Sequence, residues 1–258
     1  MKIGWLLFWL LLASSLAAQG QNRWIGHTRA AANLTKEDGL RPAPQDKTLG
    51  SGFVEANCRS LSFGQGIYVA VGPGPCIRTS TDRTNWTERD SGTPFSLYAA
   101  AYGQGLFVAV GNEGAVVTSP DGSHWARREA ATEERLRAIV FGRDLFVAVG
   151  HAGTIITSRD GARWTQRLSG REERLQGVAY GNGAFVTVGW NGTILFSRDG
   201  RTWRQAASGT TLRLCCIEYR DGQFVARSGD SASLVSKDGT TWTEEAKAYH
   251  LKDSLVVK

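Results

Sequence analysis

VGHAGTIITSRDGARW, residues Val149 to Trp164, carries the pattern on which the fold turns. Its second half, SRDGARW from Ser158, has counterparts in STDRTNW from Ser80, SPDGSHW from Ser119, SRDGRTW from Ser197 and SKDGTTW from Ser236. The start positions 80, 119, 158, 197 and 236 therefore step by 39 each time. Two further registers keep the same step. The runs IYVAVG, LFVAVG, LFVAVG and AFVTVG end at Gly72, Gly111, Gly150 and Gly189, and a weaker copy, QFVARS, ends at Ser228. The segments CRSLSFG, LYAAAYG, LRAIVFG, LQGVAYG and LCCIEYR begin at Cys58, Leu97, Leu136, Leu175 and Leu214. Three registers sharing one period mark a repeat architecture.

Each unit holds four short β-prone runs separated by turn residues, as in Leu136 to Phe141, Leu145 to Val149, Thr154 to Thr157 and Arg163 to Leu168. Four strands in about 40 residues fit one four-stranded antiparallel blade of a β-propeller, whereas solenoids of similar period use helices. The composition agrees. The chain has 258 residues, 41% hydrophobic and 21% charged, which excludes a disordered chain, and 31 glycines against 6 prolines supply the turns. We expect an all-β fold of five blades. Six is the alternative, because residues 19–56 are nearly one blade long, yet they contain neither the Ser-x-Asp-Gly element nor a VAVG run.

The Ser-x-Asp-Gly-x-x-Trp element is explained without catalysis. Asp121, Asp160, Asp199 and Asp238 can accept hydrogen bonds from backbone N–H groups of their own turn, and the following glycine takes a positive φ without steric cost. Trp86, Trp125, Trp164, Trp203 and Trp242 then pack onto the hairpin. In the first copy Arg83 replaces the glycine, so that turn is expected to be strained or differently shaped.

Residues 1–18, MKIGWLLFWLLLASSLAA, read as a secretory signal peptide: one lysine, an apolar core of about ten residues, too short for a bilayer that needs about twenty, then small residues. The expected organisation is this leader, a preamble over 19–56 that donates a closing strand near Lys47 to Gly52, and a propeller over 57–258. The tail DSLVVK would help close the ring. Export to the periplasm or the exterior permits disulfides. A bond from Cys215 or Cys216 to Cys58 or Cys76 would staple the first blade to the last and stabilise by about 2–4 kcal/mol; four free thiols are the alternative. No metal-ligand spacing and no cofactor motif occurs.

The repeats resemble the Asp-box (BNR) repeats of sialidases, sortilin-type receptors and photosystem II stability and assembly factors. The resemblance covers roughly Cys58 to Ala248, and the VG-x-x-G-T-I-x-x-S-x-D-G form is most similar to the assembly-factor type. It implies the propeller fold strongly and an activity weakly, because unrelated functions share it.

In a propeller, the connections into the inner strands and those between second and third strands gather on one face around the axis. Just before the inner strand the five units carry Asn57, Ser96, Arg135, Arg174 and Arg213. An arginine on each of three consecutive blades implies an anionic ligand, bearing carboxylate or phosphate, or an acidic partner surface; in the alternative, Arg135 and Arg174 merely pair with Glu133, Glu134, Glu172 and Glu173. The loops GPGPC, GNEGA, GHAGT, GWNGT and SGDSA add Glu113, His151, Trp190 and Asp230. Trp190 stands outside the repeating tryptophan register and is a candidate contact residue.

A sialidase-like glycoside hydrolase acting on an acidic sugar is the enzymatic alternative, and a lectin-like surface module a third reading. The enzyme reading lacks an Arg-Ile-Pro element and an assignable tyrosine–glutamate pair, and would need Glu113 and Asp230 to converge. The formal charge of +6, with no run of five like charges, does not suggest a nucleic-acid arm. The expectation is an exported, monomeric, non-enzymatic propeller without cofactor or metal. It binds a protein partner or an acidic glycan or other anionic ligand through the arginine-bearing face, as a complex-assembly or scaffold factor.

Overall fold

The structure, a computed structural model, describes residues 59–229 and 232–245. The expected leader, the preamble with its closing strand, the tail, Cys58 and Asp230 all lie outside the described residues.

Among the described residues, twenty strands form five separate four-stranded antiparallel sheets, each built from consecutive strands. The first blade is β1 (Ser60–Gly64), β2 (Ile67–Val71), β3 (Ile77–Ser80) and β4 (Thr87–Arg89). The second is β5 (Leu97–Gly103), β6 (Leu106–Gly111), β7 (Val116–Ser119) and β8 (Ala126–Arg128), and the third β9 (Leu136–Gly142), β10 (Leu145–Gly150), β11 (Ile155–Ser158) and β12 (Thr165–Arg167). The fourth is β13 (Leu175–Gly181), β14 (Ala184–Gly189), β15 (Ile194–Ser197) and β16 (Arg204–Gln205). The fifth is β17 (Leu214–Arg220), β18 (Gln223–Ser228), β19 (Ser233–Ser236) and β20 (Thr243–Glu244). The all-β, five-blade expectation holds. No helix among the described residues is long and apolar enough to cross a membrane.

The core lies between blades. In the middle blades both faces of the second strand are apolar because each packs against a neighbouring sheet, so β10 reads LFVAVG and is buried throughout. Phe107, Phe146, Phe185 and Phe224, at one repeat position, are all fully buried. Each pairs across its hairpin with an aromatic of the inner strand, as in Tyr102–Phe107 at 4.6 Å and Phe141–Phe146 at 4.7 Å between ring centres. The glycine after that aromatic seats the ring of the next blade: a Cβ at Gly103 would lie 2.1 Å from Phe141.

Four apolar clusters join blade one to two, two to three, three to four and four to five. The outgoing face of the fifth blade has another character. Glu218 stands where Ala101, Val140 and Ala179 stand in earlier blades, and Arg227 where Val110, Val149 and Val188 stand; the two are ion-paired at 2.7 Å. Arg220 replaces the ring-seating glycine and pairs with Glu218 at 3.4 Å and Glu245 at 3.7 Å. Among the described residues no apolar cluster joins the fifth blade to the first, and this face is polar, as the outer faces of terminal units in repeat arrays are. The Cys76 staple is not made; Cys76, Cys215 and Cys216 are free thiols.

The repeated turns form as expected. Asp121 Oδ1 accepts hydrogen bonds from the backbone N–H groups of Ser123 and His124 at 2.8 and 2.9 Å and from the Ser119 hydroxyl at 3.0 Å, while the Trp125 indole N–H donates to the Gly122 carbonyl at 2.9 Å. Arg83 has φ +65°, close to the +73° of Gly122, so the first turn keeps the common shape and carries the strain instead.

Candidate functional site

Each inner strand from the second blade onward contains the same irregularity. The pairing of β5 with β6 passes from Leu97 to Ala99, that of β13 with β14 from Leu175 to Gly177, and that of β17 with β18 from Leu214 to Cys216; in β9 it passes from Leu136 to Ala138. Tyr98, Arg137, Gln176 and Cys215 are the residues left out. A β-bulge re-aims a side chain. Here the four bulge residues, with Ser60 of β1, line one small cavity of about 20 Å³, space for roughly one water.

Above this cavity lies an arginine-rich mouth. Gly150 bends its loop so tightly against the inner strand that a Cβ there would sit 2.0 Å from the Arg135 carbonyl oxygen. That carbonyl accepts the backbone N–H of His151 at 2.9 Å, and the Arg174 carbonyl that of Trp190 at 3.0 Å. On the far side the Glu134, Glu173 and Leu212 carbonyls accept from Gly114, Gly153 and Gly192. The loops between second and third strands of blades two, three and four are thus each clamped between two connections, and Arg135 and Arg174 are positioned by backbone rather than by side-chain pairing.

Two aromatic rings organise the guanidinium groups. The Cζ atoms of Arg174 and Arg213 lie 4.6 and 5.2 Å from the centre of the Trp190 ring. Those of Arg59, Arg137 and Arg135 lie 4.6, 5.0 and 5.7 Å from the centre of the Tyr98 ring. Both sets are cation–π geometry, worth about 0.5–1 kcal/mol at exposed positions. Arg137 also donates to Gln176 Oε1 at 3.4 Å.

The mouth carries an excess of positive charge. Burial lowers the Arg137 pKa from its ordinary value, and Arg59, Arg135 and Arg213 add to that while Tyr98 opposes it. His151 is pushed down to about 4, first by burial and then by Arg174, Arg135 and Arg137. Among the described residues, Arg135, Arg137, Arg174 and Arg213 make no ion pair, and the alternative pairing with Glu133, Glu134, Glu172 and Glu173 is not found. The Arg137 Nε, Trp190 Nε1 and Asn112 Oδ1 atoms are buried without a hydrogen-bond partner among the described residues. Clustered like charges with unfilled donors are suited to an anion.

Arg135, Arg174, Arg213, His151 and Trp190 are brought together by contacts or field. Glu113 is exposed at its loop tip with φ +51°, and Asn112 occupies the repeat position of His151 and Trp190. Asp230 is outside the described residues. Sequence reasoning missed Arg59, Tyr98, Arg137 and Gln176. Part of the signal was present: positions 59, 98, 137, 176 and 215 read Arg, Tyr, Arg, Gln and Cys, preceded by leucine in four of the five units and followed by a small residue in all five.

Among solved structures, the chain is similar to YCF48 from Cyanidioschyzon merolae, with 16% identity, a TM-score of 0.54, and coverage of 72% of this chain and 71% of that one. A structure of YCF48 bound to D1 peptide gives 21% identity and a TM-score of 0.57, over 72% of this chain and 66% of that one. The WD40 β-propeller domain of Doa1 gives 14% identity and a TM-score of 0.58, over 74% and 67%. Likeness at these identities establishes the β-propeller fold. No protein-family model and no curated protein matches the chain.

Proposed function

We propose that this chain is an exported, non-enzymatic, monomeric propeller of Asp-box-type repeats that binds an acidic segment of a protein partner at the arginine-lined mouth, as a complex-assembly or scaffold factor. The observation that carries the reading is the convergence of Arg135, Arg137, Arg174 and Arg213 around Tyr98 and Trp190 with no ion pair among the described residues. The fold likeness to YCF48, solved with a bound peptide, supports a peptide over a free anion. The glycosidase alternative requires two carboxylates about 5–10 Å apart at the cleavage point, and Glu113 stands exposed at a loop tip.

The test is binding of labelled peptides to the mature chain. A glutamate- and aspartate-rich peptide is expected to bind in a salt-sensitive manner, a neutral peptide of equal length to bind weakly, and Arg135→Ala with Arg174→Ala and Arg213→Ala to abolish the difference. Equal binding of both peptides to the parent chain would reject the reading. Turnover of an acidic glycoside would instead establish the enzyme alternative.

A further inference from the structure

The arginine-lined mouth has two sulfur atoms at its base. Consecutive strand residues ordinarily point to opposite faces of a sheet. Cys215 and Cys216 do not behave this way, because Cys215 is the bulge residue of β17, unpaired between Leu214↔Ser228 and Cys216↔Arg227. The bulge turns both thiols to one side and leaves their Sγ atoms 3.6 Å apart. The equivalent pairs in the preceding blades are Tyr98–Ala99, Arg137–Ala138 and Gln176–Gly177, so the dithiol belongs to the fifth blade alone among these four. Both cysteines line the axial cavity, together with Arg137, and both are partly accessible.

We propose that Cys215 and Cys216 form a thiol–disulfide exchange site at the base of the mouth, which takes an anionic disulfide as its oxidant and closes reversibly into a bridge between adjacent residues. Three features assign the roles. Arg213 precedes Cys215 in sequence and, with Arg174, flanks Trp190, so a negatively charged disulfide is drawn to the mouth by the field that the acidic-peptide reading also invokes. Cys215 is the attacking sulfur. The hydrogen bond from Cys216 above all, with help from Arg213 and Arg227 against burial, holds its thiol down to about 7, near the optimum for attack at neutral pH. Cys216 resolves the adduct; its pKa is raised by its hydrogen bond to Cys215 and by burial, so it stays protonated until the first step is complete.

The chemistry balances in two displacements. The Cys215 thiolate attacks one sulfur of the oxidant; an S–S bond to Cys215 forms, the original S–S bond breaks, and half of the oxidant leaves as a thiolate with the bonding pair. Cys216 then loses its proton to solvent and attacks the Cys215 sulfur, and the second half leaves as a thiolate. Two cysteine thiols are oxidised and one external disulfide is reduced. The bridge closes an eight-membered ring across the Cys215–Cys216 peptide bond, and the two displacements run in reverse when thiolates of the kind released attack it, re-forming the external disulfide and both cysteine thiols.

The experiment compares two thiol reagents on the intact mature chain: 5,5′-dithiobis(2-nitrobenzoate), a dianionic disulfide, and 4,4′-dithiodipyridine, an uncharged one. The dianion is expected to react with a fast phase that slows about tenfold as salt is raised, while the uncharged reagent is nearly insensitive. Peptide mapping of the product should recover the segment holding Cys215 and Cys216 two hydrogens lighter and without an adduct. Cys216→Ala should keep the fast phase and stop at the mixed disulfide, and Cys215→Ala should lose it. Recovery of parent peptide with adducts on both cysteines, or with neither modified, overturns the proposal and needs no variant to fold. The two readings fail separately. Bridge formation without acidic-peptide binding removes only the partner reading, and peptide binding without bridge formation removes only this one.

Discussion

The Arg174 carbonyl accepts the backbone N–H of Trp190 at 3.0 Å while the Arg174 guanidinium carbon lies 4.6 Å from the centre of the Trp190 ring. One residue therefore fixes the other twice, once through backbone and once through side chain. Arg213, from the next blade, approaches the same ring at 5.2 Å. The indole acts as a spacer holding two cations of adjacent blades at a set separation, which a flexible aliphatic residue would not do.

Trp190→Ala is expected to weaken binding of an acidic peptide about tenfold, equivalent to about 1.4 kcal/mol, through loss of the shared ring. Trp190→Phe should retain most of the affinity. Isothermal titration of both variants against the parent measures this. Equal affinity of the alanine variant would assign Trp190 to loop packing alone.

His151 reports on the charge of the mouth. Its folded-state pKa is about 4 against an ordinary 6.5, so between these values the unfolded chain binds a proton that the folded chain refuses. The contribution to stability is fully present above pH 6.5 and is lost as pH falls toward 4. A bound anion would offset the arginines, so the midpoint should move upward on adding acidic peptide, as read by imidazole NMR. A midpoint unmoved by saturating peptide would place the ligand away from His151.

The five turn aspartates act in the same direction at lower pH. Hydrogen bonds from backbone N–H groups lead in holding Asp121 and Asp160 well below the usual carboxylate range and Asp199 at about 2, and the Thr240 hydroxyl leads at Asp238; Asp82 is lowered likewise. A depressed carboxylate contributes stability above its unfolded pKa, near 3.8, that disappears as pH falls through the folded value. Acid unfolding followed by tryptophan fluorescence should therefore begin below about pH 4, and Asp160→Asn should flatten it.

The 39-residue period made the blades, their hairpins and the aspartate turns legible, because each depends on local residue types that recur. The strands expected over Leu136 to Leu168 fall within two residues of β9 to β12. The bulges were not legible. A bulge shifts pairing by one residue without changing which residues are apolar, so the sequence could not show that Tyr98, Arg137, Gln176 and Cys215 meet at the axis. Nor could it show that Glu113, in a left-handed backbone, stands exposed at its loop tip. The polar substitutions in QFVARS were visible but read as decay; in the fold they occupy the outgoing face of the last blade.

That last observation also explains why Arg83 is tolerated. At Gly161, Gly200 and Gly239 a Cβ would meet Leu106, Leu145 or Val186 of the preceding blade at 2.5–2.6 Å. The first blade has no such neighbour among the described residues, and Arg83 extends its guanidinium over Tyr68 at 5.5 Å instead. Steric relief removes one reason for glycine but leaves the φ of +65°, which costs an L-residue about 1–2 kcal/mol. Arg83→Gly is therefore expected to stabilise the chain by up to about 1 kcal/mol after the extra freedom of glycine in the unfolded state is subtracted. Gly161→Ala should destabilise by about 1–3 kcal/mol, since it combines the same backbone cost with a clash against Leu106. Urea unfolding of the two variants checks both signs, and a stabilised Gly161→Ala would contradict the packing described for the blade interface.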